Sequence, residues 1–283
     1  MTSAPFLSIV IVAHNEEANI GRTLASVQPL VMTHGRSNGD EIIVVDSGST
    51  DRTVEISKSY GAKVFVEEWK GYAAQKNLAI EKATGTWILS LDADEVLCDE
   101  LPHEITIALG RQLNLKSELP PDRPEFLDGF FIPRRNSFLG RWIKHGGFWP
   151  DPKLRLFRRG KGRFEYRLVH EDILVKGRTG RLKNALIHHS YPTLADYLDH
   201  MNRYSSLGAE MVAAKGRVRF SAFNIVLRPL ATFVYNYFFR LGFLDGREGL
   251  LLHLYHAAYV SWKYAKAWEL GQREQAGPSL RLG

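Results

Sequence analysis

Two carboxylates two residues apart, Asp92 and Asp94 in Ser90-Leu91-Asp92-Ala93-Asp94-Glu95, close an apolar run that reads as a strand. Alternate residues leaving a strand end point to one side. Two hard oxygen ligands on that side suit Mg²⁺ or Mn²⁺, ions that usually also take phosphate oxygens from a substrate. Other polar groups stand at equivalent places. His14, Asn15 and Glu16 follow the run Leu7–Ala13, and Asp46 ends the run Glu41–Asp46.

The elements that must position these residues follow from the pattern. Leu7–Ala13 is continuously apolar, as a strand buried on both faces should be. Asn15, Glu16 and Glu17 open an amphipathic helix with Ile20, Leu24 and Val27 on one face. Glu41–Asp46 is a second strand, and Thr50 or Asp51 caps the helix after it. Lys63–Val66 is a third strand, Gly71–Lys82 a helix and Trp87–Leu91 a fourth strand. This alternation predicts a doubly wound parallel sheet, in which ligands bind beyond the carboxyl ends of the strands. A helix is expected over Asp99–Leu113 and a loop over Lys116–Pro124. Short, Gly-broken strands should follow from Phe130 to Ile187, then a helix over Thr193–Ala214.

Length and composition bound the rest. The chain has 283 residues, 45% of them hydrophobic and 24% charged, which excludes a disordered or collagen-like protein. Its single cysteine, Cys98, excludes an intramolecular disulfide and a Cys-rich zinc site and suits a reducing compartment. The apolar run near the N-terminus is too short, and lacks the basic flank, for a signal peptide.

The net charge of +6 is unevenly spread. Gly129–Lys183 holds 15 Lys or Arg against 4 acids, so this stretch is +11 and the remainder −5. Such a field attracts phosphates or anionic lipid. No nucleic-acid-binding motif accompanies it, which argues against nucleic acid as a partner. Phe220–Leu244 and Gly249–Trp268 are apolar and aromatic, the first interrupted by Arg228, Pro229, Asn236 and Arg240. Neither reaches the ~18 uncharged residues of a transmembrane helix, and both suit helices lying at a membrane interface.

Three motifs carry a family resemblance. Ile9-Val10-Ile11-Val12-Ala13-His14-Asn15-Glu16-Glu17, Val44-Val45-Asp46-Ser47-Gly48-Ser49-Thr50-Asp51 and Leu91-Asp92-Ala93-Asp94-Glu95 stand in the order and spacing of the family 2 glycosyltransferases. Arg155-Leu156-Phe157-Arg158, Val169-His170-Glu171, His188-His189-Ser190-Tyr191 and Gly242-Phe243-Leu244-Asp245-Gly246 resemble the subgroup containing lipopolysaccharide inner-core β-1,4-glucosyltransferases.

The resemblance implies an α/β protein of GT-A (Rossmann-like) fold. Its catalytic domain would span residues 1–215, with a nucleotide-binding half at 1–98 and an acceptor-side half at 99–192. Residues 216–283 would form an amphipathic, membrane-associating helical extension. It further implies an inverting transfer of a hexose, glucose favoured, from a UDP-sugar to a lipopolysaccharide-core or other lipid-linked saccharide. The place of work would be the cytoplasmic face of the inner membrane.

The resemblance also implies roles. Asp46, with His14, Asn15 and Glu16, would contact base or ribose, although Ser47 stands where many members carry a second Asp. Lys76 and Asn77 would face the nucleotide, Asp92 would lie near the ribose, and Arg155 and Arg158 would add phosphate contacts. Asp94, with Asp92 and His188, would hold Mg²⁺ or Mn²⁺, which neutralises the leaving diphosphate. Glu171, or else Asp172, would be the general base for the acceptor hydroxyl. Trp142, Gly147 and Trp149 would line the acceptor side. Transfer to polyprenyl phosphate or to protein is an alternative within the same chemistry. An inactive membrane-bound nucleotide-binding scaffold is an alternative outside it.

Overall fold

The strands Leu7–Ala13, Glu41–Asp46 and Trp87–Asp92 are buried almost throughout, which places them at the centre of the sheet. The computed structural model describes residues 6–33, 40–118, 126–165, 172–216 and 219–276. They form β1 (Leu7–Ala13), α1 (Ile20–Thr33), β2 (Glu41–Asp46), α2 (Thr53–Ser59), β3 (Lys63–Val66), α3 (Tyr72–Lys82), β4 (Trp87–Asp92), β5 (Glu95–Leu97) and α4 (Leu101–Glu118). Then come β6 (Gly129–Phe138), β7 (Arg141–Trp142), β8 (Asp151–Arg158), β9 (Gly162–Phe164), β10 (Ile173–Val175), β11 (Thr179–Arg181) and β12 (Leu186–Tyr191). The chain closes with α5 (Leu194–Ala213), α6 (Arg228–Val234) and α7 (Gly246–Ala276).

Two compact units result. The first comprises Met1–Arg135, Asp151–Arg167 and Glu171–His188; the second comprises Asn136–Pro150, Leu168–His170 and His189–Gly283.

In the first unit β3, β2, β1 and β4 are parallel neighbours, as the alternation predicts, and β8 then pairs antiparallel with β4. The sheet continues through β6 and β12 to β5. Parallel register aligns Ala13 with Asp46 and Val12 with Asp92, so the polar groups after β1, β2 and β4 share one edge. Ile20, Leu24, Val27 and Leu30 of α1 are fully buried against this sheet's core, with Ile9, Ile11, Leu89 and Leu91.

Helix α1 starts five residues later than Asn15, where the sequence pattern opens it. The backbone N–H groups of Asn15, Glu16 and Glu17 are spent elsewhere: on Ser49 Oγ at 2.8 Å, Thr53 Oγ1 at 2.8 Å and Asp51 Oδ2 at 3.1 Å. Asn15 takes a left-handed conformation, φ 54°, which Asn tolerates better than most residues. The chain is therefore a loop there, stitched to the loop that follows β2. Helix α4 likewise runs on to Glu118, through the start of the expected loop.

In the second unit α5 begins with a capping box: Thr193 accepts from Asp196 N–H, and the Asp196 carboxylate accepts from Thr193 N–H. Phe138, Ile143, Tyr197 and Leu252 form its core. Before α7, the stretches Phe223–Leu227 and Tyr235–Phe239 are π-helical turns flanking α6. Pro229, lacking an N–H, sits at their first join and breaks the regular ladder. No helix among the described residues is long and apolar enough to cross a membrane.

Candidate active site

The centre of the site is Asp92, the last residue of β4. Lys76 Nζ lies 2.6 Å from its Oδ1 and Arg155 Nη2 lies 2.6 Å from its Oδ2. Lys76 comes from α3 and Arg155 from β8, whose antiparallel register sets Leu156 against Leu89 and so brings Arg155 toward the end of β4. Burial alone would raise the Asp92 pKa, but the charges of Arg155 and Lys76 override it and hold the carboxyl well below its ordinary range.

Behind Asp92 stands Glu95, fully buried. It accepts from Arg155 at 2.6 Å, from Arg134 at 3.2 Å and from the Asp92 N–H at 3.1 Å. Arg134 also reaches Asp151 at 2.8 Å across the β6–β8 pair. Buried charges are tolerated only when paired and hydrogen-bonded, and here three carboxylates, Asp92, Glu95 and Asp151, interlock with two guanidiniums. Arg134 carries no sequence motif, and Glu95, although it closes the Asp92-Ala93-Asp94-Glu95 motif, is given no role there. The signal available was a third acid directly after the Asp-Ala-Asp pair.

Asp94 has a different partner. Its Oδ2 is 3.0 Å from His188 Nε2, brought in by β12, where His188 pairs in register with Glu95. Burial raises the Asp94 pKa and His188 more than offsets this, so the carboxyl is held ionised. Glu16 shares the same field. Its pKa is raised by burial and then by the charges of Asp94, Asp51 and Asp92, against a hydrogen bond from Asn19 that lowers it. The structure thus brings Glu16, Lys76, Asp92, Asp94, Arg155 and His188 to one edge of the sheet.

Among the described residues no cluster of three or more His, Cys, Asp or Glu side chains is poised to hold an ion alone. The donors nevertheless fit a divalent cation of the Mg²⁺ type. Asp94 and His188 offer two ligands on one side, and such ions take the remainder from water and substrate phosphate. Asp92 has one cation on each oxygen, which leaves each a further lone pair that a metal could share.

Other expected contacts fall differently. Asp46 is fully buried and accepts from Gly48 N–H at 3.0 Å and Ser49 N–H at 2.8 Å; in this arrangement it builds the turn after β2. Asn15 does similar work, accepting from Thr50 N–H at 2.8 Å, while His14 is exposed beside it. Asn77 gives its amide to the backbone of Phe164 in both directions, at 2.9 and 3.0 Å, which ties β9 to α3 rather than facing a nucleotide.

Arg158 is a correction. Register sets it opposite Trp87, at the far end of β4 from Asp92, roughly 17 Å away at the usual strand rise. It packs over the Trp87 ring and donates to Leu127 O, so it makes no phosphate contact at this edge. Glu171, with His170, lies outside the described residues. Asp172 is described and exposed, at the start of β10.

Trp142, Gly147 and Trp149 belong to the second unit. The two indoles meet edge to face, centroids 5.3 Å apart. Gly147 has φ 89°, and a Cβ there would collide with the Arg240 guanidinium; the close approach its lack of a side chain permits is used by the protein itself.

Four parallel strands with an acidic turn at their carboxyl edge are the frame of the α/β class whose ligands bind outside the strand ends. Residues 8–105 match the family described as glycosyl transferase family 2. The chain is 31% identical over 271 residues to the "Lipopolysaccharide core biosynthesis glycosyltransferase LpsC" of Rhizobium meliloti, covering 93% of this chain and 92% of that one. It is 30% identical over 285 residues to an uncharacterized glycosyltransferase of Rickettsia bellii, covering 97% and 90%. Its fold is similar to a mannosyltransferase of Pyrobaculum calidifontis solved with GDP-Man and Mn²⁺, with a TM-score of 0.56 at 16% identity, covering 95% of this chain and 88% of that one. The chain belongs to the family 2 glycosyltransferases, enzymes of GT-A fold.

Proposed function

We propose that this enzyme transfers a hexose, glucose favoured, from a UDP-sugar to a hydroxyl of a lipopolysaccharide-core or other lipid-linked saccharide, with inversion. The acceptor class is supported by the similarity to LpsC over nearly the whole chain. The observation that carries the reading is the pairing of Asp94 with His188, 3.0 Å apart, beside an Asp92 already neutralised by Lys76 and Arg155. Asp94 and His188 would supply donors for one cation, and Lys76 and Arg155 two cationic side chains for a diphosphate.

Asp94 and His188 would hold Mg²⁺ or Mn²⁺. When bound, the ion supplies Lewis-acid stabilisation of the departing diphosphate. Lys76 and Arg155 would exchange part of their hold on Asp92 for phosphate oxygens, and Asp92 would then stand free toward the ribose. Asp46, Asn15, His14 and Glu16 would shape the wall for base and ribose. Glu171, with Asp172 as the alternative, would take the acceptor proton as the hydroxyl oxygen bonds to the anomeric carbon; the carbon–phosphate oxygen bond breaks and its electron pair leaves with UDP. Trp142 and Trp149 are proposed for the acceptor side, at the cytoplasmic face of the inner membrane.

Thermal stabilisation by UDP, GDP, CMP and dTDP, each with and without Mn²⁺, tests the donor site. A ligand at 100 times its Kd adds about 2.7 kcal/mol. A UDP shift requiring both Mn²⁺ and Asp94 is expected. A shift with another nucleotide and none with UDP would overturn the donor assignment. Glu171→Gln should abolish transfer while keeping the UDP shift; full activity would reassign the base.

A further inference from the structure

The second unit carries a surface that the transfer reaction does not use. Residues 211–244 contain Lys215, Arg217, Arg219, Arg228 and Arg240 and no Asp or Glu. Within the same stretch Phe220, Phe223, Leu227, Leu230, Phe238 and Phe239 are all more than half exposed, Phe239 at 75%. They recur at helical spacing through the π-turns and α6. Apolar side chains set outward at this density mark a contact surface.

Beside this face lies a cavity of 330 Å³, lined by Lys215, Arg219, Ser221, Asn224, Ile225 and Tyr264 among others, with no carboxylate. Arg228 donates to the Tyr264 hydroxyl, and Lys263 lies 4.9 Å from the Tyr264 ring centroid. Burial, and then the Arg228 charge, push the Lys263 pKa down. Neither Lys215 nor Arg219 has an ion-pair partner among the described residues. Cations, hydroxyl and amide donors around an opening next to an apolar face are the chemistry of a phosphate attached to something greasy.

We infer that this cavity takes the phosphate of an anionic phospholipid headgroup while the flanking apolar side chains enter the acyl boundary, so that the second unit docks on a negatively charged bilayer. Charge selects the occupant. A protein partner would need an acidic face with an apolar stripe, whereas an anionic bilayer presents both at once, and no described helix is long and apolar enough to span it. The inference extends the lipid-linked acceptor reading but stands on the second unit alone.

The test is co-sedimentation of the full chain with vesicles of phosphatidylcholine, with and without phosphatidylglycerol. The variants are Lys215→Ala/Arg219→Ala and Phe223→Ser/Phe239→Ser. Wild type should bind phosphatidylglycerol vesicles at least about tenfold more tightly than pure phosphatidylcholine. The double charge variant should lose roughly thirtyfold on the anionic vesicles, at about 1 kcal/mol per basic residue, and the double Phe variant should lose binding to both. Equal affinity for the two vesicle types, or no binding to either, would overturn the inference. So would thermal stabilisation by inorganic phosphate that matches the anionic vesicles in its dependence on Lys215 and Arg219 without any vesicle binding. A concentration-dependent dimer without vesicle binding would assign the face to a second copy instead. The UDP shift, measured on the same variants, confirms that each is folded and should be unchanged; its loss in wild type would fault the donor reading and leave this one standing.

Discussion

Glu95 in the first unit and His253 in the second are both sealed from solvent, but in opposite company. Glu95 is surrounded by Arg155, Arg134 and the Asp92 N–H, so every charge buried with it is answered. His253 is 1% exposed and neither ring nitrogen has a hydrogen-bond partner among the described residues. It sits among aromatic rings, 5.8 Å from Phe148 and 6.3 Å from Tyr237, in room left by Gly146 and Gly242. The first unit buries carboxylates against guanidiniums. The second buries the His253 ring as well as the carboxylate of Asp245, and turns apolar side chains outward. Charge is answered by charge in one, while the other leaves a ring among aromatic neighbours.

The comparison can be broken most forcefully at Asp94. Asp94→Ala should cost at least about a hundredfold in kcat/KM, or ~2.7 kcal/mol of transition-state stabilisation, with little change in stability. A loss of stability with activity kept would mean the acidic turn is scaffolding. Glu95→Ala should do the reverse first: it strands Arg155 and Arg134 without a counter-charge, at about 3–5 kcal/mol by urea unfolding, with Glu95→Gln milder.

Acid sharpens the contrast. The His253 pKa is lowered to about 4, mainly by burial and then by His256 and Arg240, against Asp245, which raises it. A base depressed in the fold binds its proton first in the unfolded chain, so its stability contribution is full above pH ~6.5 and falls as pH drops toward 4, on the order of 3 kcal/mol in all. Glu41, in the first unit, is opposed by burial but held down to about 2 by Lys63, Ser8 and Thr84. Its contribution begins to fall only below pH ~4.5. Hydrogen exchange followed from pH 7 to 5 should therefore show α7 loosening while β1 and β2 stay protected, and His253→Leu should flatten that response. Simultaneous loosening would erase the distinction. The smallest effect expected is Tyr197→Phe. Its hydroxyl is buried without a partner among the described residues, so its removal should change stability by no more than about 1 kcal/mol, in either direction.

How much of this was legible in the sequence divides along the same line. β1, β2, β3 and β4 were readable because each is a local run, and Asp92 and Asp94 because they end one. The start of α1 was not, since the donors that delay it are paid for by Ser49, Thr53 and Asp51, more than thirty residues away. Arg155 and Arg158 look interchangeable in Arg155-Leu156-Phe157-Arg158. Only the register of β8 on β4 sends one to the acidic turn and the other to Trp87. Asn77 was misplaced for the same reason, because its partner, Phe164, lies 87 positions on. In the C-terminal region composition announced an apolar, basic surface, but not the π-turns, the buried His253 or the cavity beside Tyr264.

Asp245 bears on how the enzyme can be shortened. Its carboxylate accepts from His145 N–H at 2.8 Å and Lys144 N–H at 3.1 Å, so the Gly146-Gly147 loop hangs from the residue just before α7. A chain cut at 215 to gain solubility would discard that anchor, together with the Arg240 and His253 side chains that cover the two glycines. The tail is an internal brace as well as an outer face, and replacing single exposed phenylalanines is the sounder route to a tractable protein than removing the helices that carry them.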